Sequence, residues 1–143
     1  MSATGDGEAG FTLIEMLTVL TLTVMLGAMA FPSMERAMNA VAFVRARSIL
    51  VGDLNSARAQ AMSGGVPTVL TLFTDGGGYD RTGAAPRRFG DAIHIGSAGG
   101  DRIAFFPDGS ARPTSLVLRG GARGITVRVE ADGRVTPGAG GAG

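Results

Sequence analysis

Twenty-one residues from Phe11 to Phe31, FTLIEMLTVLTLTVMLGAMAF, are apolar apart from Glu15 and scattered threonines. As a helix rising ~1.5 Å per residue this run spans roughly 30 Å, one bilayer crossing. A carboxylate near the bilayer centre costs ~2.5 kcal/mol or more, and less near the interface, where Glu15 sits. Met1 to Gly10 (MSATGDGEAG) has no apolar periodicity and reads as a leader, residues 1–10, that does not pack. Pro32 follows the run, where a proline kinks a helix or marks a junction.

From residue 33 to 63 the chain continues with helix formers. Phe43, Ala46, Leu50, Leu54, Ala57 and Ala61 recur at spacings of three and four, the stripe of an amphipathic helix. Val41, Val44 and Val51 widen it, and Arg36, Arg45, Arg47, Asp53, Asn55, Arg58 and Gln60 supply much of the remaining surface. No heptad is sustained, so this helix is expected to pack on its own domain rather than in a coiled coil. Ser63-Gly64-Gly65 ends it.

After Val66 the period shortens to two. Strands are predicted at 66–73 (VPTVLTLF), 88–95 (RFGDAIHI), 102–106 (RIAFF), 115–118 and 125–129 (ITVRV). Asp75-Gly76-Gly77-Gly78, Pro107-Asp108-Gly109 and Ala131-Asp132-Gly133 are turn signals, the last joining ITVRVE to RVT as a hairpin. Residues 64–136 form the expected antiparallel β domain, and 137–143 (PGAGGAG) a flexible tail. The fold class is therefore α+β: a long N-terminal helix, residues 11–32 in membrane and 33–63 amphipathic, on an antiparallel sheet.

Composition removes several chemistries. With no cysteine there is no disulfide framework, thiolate metal site or cysteine nucleophile. Thirteen basic residues, all Arg, balance twelve acids, which is no footprint for nucleic acid. His94, the one histidine, lies in an alternating strand without a companion nucleophile or metal cluster, and the dispersed aspartates suit turns rather than a calcium loop. No metal, no cofactor and no enzymatic activity are expected.

The junction Gly10-Phe11-Thr12-Leu13-Ile14-Glu15 resembles the processing site of type IV prepilins and type II secretion pseudopilins. The resemblance implies cleavage after Gly10 by a prepilin peptidase and N-methylation of Phe11. The cut frees an amine with an unperturbed pKa of about 8, cationic when formed. Paired with Glu15, one helical turn away, it loses less on leaving water than either charge alone. In the family that glutamate neutralises a neighbour's amine and sets subunit register, which is the role implied for Glu15. Gly27 and Pro32 are the expected points of helix loosening.

LNSARAQAM (54–62), FFPDG (105–109) and the closing GITV to DGRV stretch resemble H-type minor pseudopilins of type II secretion and the related T-type fimbrial minor pilins. The implied partners are other major and minor pseudopilins, prepilin peptidase and the inner-membrane assembly platform. The implied location is the inner membrane, crossed once, with the C-terminal domain in the periplasm. The leader departs from that family in carrying Asp6 and Glu8 and no base. That leaves either residues upstream of Met1 or machinery that overrides the positive-inside rule.

Losing Asp6 and Glu8 with the leader moves the formal charge from +1 to +3. Arg119, Arg123, Arg128 and Arg134 form a candidate patch for an anionic partner, DNA included, weighed against a solvated strand face, which is favoured. Three other accounts stand beside the secretion pseudopilin. They are a minor type IV pilin for pilus priming or DNA uptake, a plain membrane anchor, and a secreted β protein whose signal peptide is cut after Ala28-Met29-Ala30.

Overall fold

The computed structural model describes residues 11–138. Helix α1, Leu13–Gly64, contributes to two compact units, one ending at Ala37 and the other beginning at Met38.

In the first unit the helix carries apolar side chains on every side, and none of those described is buried. Three of its hydroxyls are satisfied within the helix. The hydroxyls of Thr18, Thr21 and Thr23 donate to the carbonyls of Ile14, Leu17 and Val19 at 2.7, 2.8 and 2.8 Å, the i−4 back-bonding that threonine adopts within helices. Pro32 lies inside the helix. Its ring removes the N–H that would otherwise bond the Ala28 carbonyl.

The second unit holds the core. Phe43, Ala46, Leu50, Leu54, Ala57 and Ala61 are all buried. Three alanines in that stripe let the helix approach the strands closely. The helix closes with the Gly65 N–H donating to the Ala61 carbonyl at 3.1 Å, and Gly65 has φ +66°, a left-handed conformation that glycine adopts without a Cβ penalty.

Eight strands follow: β1 Thr68–Leu72, β2 Gly78–Arg81, β3 Arg87–Arg88, β4 Ile93–Ser97, β5 Arg102–Phe105, β6 Thr114–Gly120, β7 Arg123–Val129 and β8 Val135–Pro137. They form two four-stranded antiparallel sheets, ordered β3-β2-β1-β5 and β4-β6-β7-β8. Leu70, Leu72, Tyr79, Ile103 and Phe105 of the first sheet and Ile93, Ile95, Leu116, Leu118, Ile125, Val127 and Val129 of the second join the helix stripe in one core. The sheets are also joined through backbone, because the Ile95 N–H donates to the Gly76 carbonyl at 2.8 Å.

Two expectations change. The single sheet becomes two, and the strand predicted at 88–95 divides into β3 and β4. The chain turns between them, with the Ile93 N–H donating to the Gly90 carbonyl at 2.9 Å. Strand β2 is an addition to the predicted set, since GYDR offers only Tyr79 to the core and so shows no alternation.

Candidate functional site

The amino-terminal turn of α1 is built around Thr12. Its side-chain oxygen accepts from the Glu15 N–H at 3.3 Å, and its carbonyl accepts from the N–H groups of Glu15 and Met16 at 3.0 and 3.2 Å. Thr12 is thus the N-cap, and Glu15 occupies the third helical position, the spacing of a capping box. A carboxylate there also meets the positive end of the helix dipole. The Thr12 cap fixes Glu15 one turn from Phe11, and both side chains are exposed, Phe11 by 73%. Gly10 and the rest of the leader lie outside the described residues. Gly27 stands in the helix with open space where a Cβ would be.

The structure distributes the four C-terminal arginines. Arg119 and Arg128 share the outer face of the second sheet: Arg119 is opposite His94 and Gly124, and Arg128 is opposite Ser115 and Thr136. Four residues of β6 separate the two levels, roughly 13 Å at about 3.3 Å per residue. Arg123 opens β7 at the hairpin end, and Arg134 lies in the β7–β8 turn, 3.6 Å from the Asp132 carboxylate. The outer sheet face therefore holds two of the four.

Two helix residues that look like plain surface in the sequence organise the domain. Arg58 donates from Nε to the Gly109 carbonyl and from Nη2 to the Asp132 carbonyl, each at 3.0 Å. One guanidinium fork thus holds the β5–β6 and β7–β8 turns together, and the Ala111 N–H donates to the Ala131 carbonyl at 3.0 Å beside it. Gly133 completes the contact: it has φ +74°, and a Cβ there would strike the Gly109 carbonyl oxygen and the Arg58 side chain. The three stretches that carried the H-type resemblance, around 58, 109 and 133, meet at this one place.

Asp53 ties the helix to the first sheet. Its Oδ2 accepts from the Tyr79 hydroxyl at 2.7 Å and from Arg87 Nε at 3.1 Å. Burial, and then the bond to Asp53, push the Tyr79 hydroxyl well above its ordinary pKa. The same carboxylate raises the pKa of the Arg87 guanidinium, chiefly through the hydrogen bond. Phe89 packs edge-on to the tyrosine ring, centroids 5.9 Å apart.

A capped, exposed apolar helix with an acid in its first turn, running into a two-sheet β domain, defines a pilin-like subunit. The prokaryotic N-terminal methylation motif matches residues 6–31, and the model of the Type II transport protein GspH matches residues 46–133. The chain belongs to the Type II transport protein GspH family.

Solved structures carry the same fold. The type IV minor pilin FimU of Pseudomonas aeruginosa, in two crystal forms, is similar at TM-scores of 0.52 and 0.53 with 18% identity. Those matches cover 63% and 71% of this chain and 87% and 89% of FimU. The minor pseudopilin EpsH from the Type 2 Secretion System of Vibrio cholerae is similar at 0.55 with 11% identity, over 66% of this chain and 93% of EpsH. No curated protein sequence matches the chain. Membership in a family of pilin-like structural subunits implies assembly with other such subunits. The apolar helix together with the methylation motif indicates a single-pass membrane anchor.

Proposed function

We propose that this chain is a minor pseudopilin, a non-enzymatic subunit of the periplasmic pseudopilus of a type II secretion system. It is cut after Gly10 by prepilin peptidase, N-methylated on Phe11, held in the inner membrane with its β domain in the periplasm, and drawn into the filament by the assembly platform and other pseudopilins. The observation that carries this reading is the Thr12 cap, which sets Glu15 one turn from Phe11 on a run, 11–31, that is otherwise apolar but for its threonines and in which none of the described side chains is buried. An amine formed on Phe11 and a carboxylate at Glu15 answer each other's desolvation, within one chain or between neighbours. The match over 46–133 supports the secretion branch.

Mass spectrometry of the mature amino terminus tests the processing: N-methyl-Phe11 is expected. Phe31 as first residue selects a cleaved signal peptide, and an intact Met1 a plain anchor. Glu15→Ala is expected to be processed normally and to fail in incorporation; normal filament assembly by that variant would falsify the register role.

The likeness to FimU favours a second reading, a minor type IV pilin that primes pili or binds DNA. Deleting the gene decides between them, since loss of protein secretion with intact pili supports the pseudopilus. Arg119→Ala with Arg134→Ala tests DNA binding, and unchanged DNA retention rejects it.

A further inference from the structure

Three turns of the chain carry the same dipeptide, Asp75-Gly76, Asp108-Gly109 and Asp132-Gly133, and they are built alike. In each, the glycine N–H donates to the carbonyl three residues back, that of Phe73, Phe106 or Glu130, at 3.0, 2.9 and 2.9 Å. The glycines have φ of +68°, +83° and +74°. Each Asp Oδ1 accepts from the N–H two residues on, at 2.8, 3.0 and 2.9 Å, an Asx turn. An aspartate before glycine is open to a reaction of its own, because no side chain shields the glycine nitrogen from the carboxyl beside it. In these turns both reacting groups are engaged elsewhere.

The three holds differ in strength. Asp75 has a second bond, from Arg88 Nη1 at 2.8 Å, and Asp108 a second from the Ser110 hydroxyl at 2.6 Å. The other oxygen of Asp132 lies 3.6 Å from the Arg134 guanidinium, beyond hydrogen-bond reach. The backbone around Asp132 is also tied less firmly. The Gly76 carbonyl accepts from Ile95 of the other sheet, and the Gly109 carbonyl takes the part-buried bond from Arg58. The β7–β8 turn leads instead into an edge strand of three residues. Beyond the Ala111 bond to Ala131, its tie is the exposed Arg58 bond to the Asp132 carbonyl. Exposed backbone ties of this kind are the first to open locally.

We propose that Asp132-Gly133 is a site of spontaneous isomerisation, opened when Arg58 releases the Asp132 carbonyl. The Gly133 nitrogen attacks Asp132 Cγ and the new C–N bond closes a succinimide ring. One carboxylate oxygen leaves as water, taking the amide hydrogen and a proton from solvent. Water then adds to the former Asp132 main-chain carbonyl and breaks its bond to the Gly133 nitrogen. That leaves an isoaspartyl link through Cβ and a free α-carboxylate, with nothing oxidised or reduced. The link lengthens the main chain by one carbon where there is no room: a Cβ on Gly133 would already strike the Gly109 carbonyl oxygen and lie 2.7 Å from Arg58 Nε. The Arg58 connection therefore does not re-form, and the chain keeps a permanent mark of having opened, whichever filament it serves.

The full chain in detergent micelles is held at neutral pH in water labelled with heavy oxygen, one atom of which enters at each ring hydrolysis. Peptides are then sequenced for label and isoaspartate. Asp132 is expected to label at least about tenfold faster than Asp75 or Asp108, the factor that one bond to a charged group is worth. Arg58→Met should raise the Asp132 rate about tenfold again and leave Asp75 unchanged. Asp132→Glu, which needs a larger ring, should remove the label there. Isomerised chain, separated from fresh chain, should unfold at lower urea. Equal labelling of the three dipeptides, faster labelling at Asp75 or Asp108, or none at all overturns the site; this ranking needs no variant. An Asp132 rate indifferent to Arg58→Met, or a rise shared by Asp75, overturns the gating by Arg58.

Discussion

Tyr79 is the only tyrosine in the chain, so absorbance near 295 nm follows its ionisation alone. Burial and the bond to Asp53 raise its folded pKa. A raised acid stabilises the fold fully below the unfolded value, about 10, and that contribution is lost as pH rises through the folded value. The phenolate is therefore expected to appear above pH 10, together with unfolding. Asp53→Ala should lower the midpoint without returning it to 10, because burial is the larger cause. Asp75 and Asp108 behave in the opposite sense, both held below the usual carboxylate range, Asp75 mainly by the Gly77 N–H and Asp108 by the Ser110 hydroxyl. Their contribution is present above the unfolded pKa and disappears as pH falls through the folded one. The protection of the Gly77 and Ser110 amides, measured against intrinsic exchange at the same pH, should fall on acidification below about pH 4, ahead of protection in β6.

Between elements, Arg58 is the connection whose removal is most informative. Charge-assisted bonds are worth about 1.5–3 kcal/mol each when made in protected surroundings. One of its two is solvent-exposed, so Arg58→Met is expected to cost about 2 kcal/mol in urea unfolding. Arg58→Lys should fall between, since a point charge does not span both carbonyls. Gly133→Ala should cost at least as much, through its backbone conformation and its contact with the Gly109 carbonyl. The helix stripe is legible in the sequence because apolar residues three and four apart from Phe43 to Ala61 share one side of a helix and would scatter over both faces of a strand. Arg58 stays hidden there, because one arginine on a helix looks the same whether it meets water or two carbonyls 51 and 74 residues away. Strand β3 is equally silent, as two arginines carry no period at all. The motif at Gly10 to Glu15 is readable through its resemblance to prepilin processing sites, whereas the division of the arginines among a sheet face, a hairpin end and a turn depends on strand register.

At the scale of the whole molecule, every buried core side chain among the described residues falls from Phe43 to Val129. A protein beginning at Met38 is therefore expected to be soluble, to unfold cooperatively, and to keep the alkaline Tyr79 titration of the full chain. Loss of that titration would show that the core needs the preceding helix. Thr18, Thr21 and Thr23 of the first unit have a different consequence. Each hydroxyl already holds a carbonyl of its own helix, so under the proposed function none would have to exchange one hydrogen-bond partner for another as the helix left acyl chains for the flank of another helix. As far as those groups are concerned, lipid and protein are interchangeable solvents, and the contest between them falls to shape and to Glu15, the one acid of the run from Phe11 to Phe31.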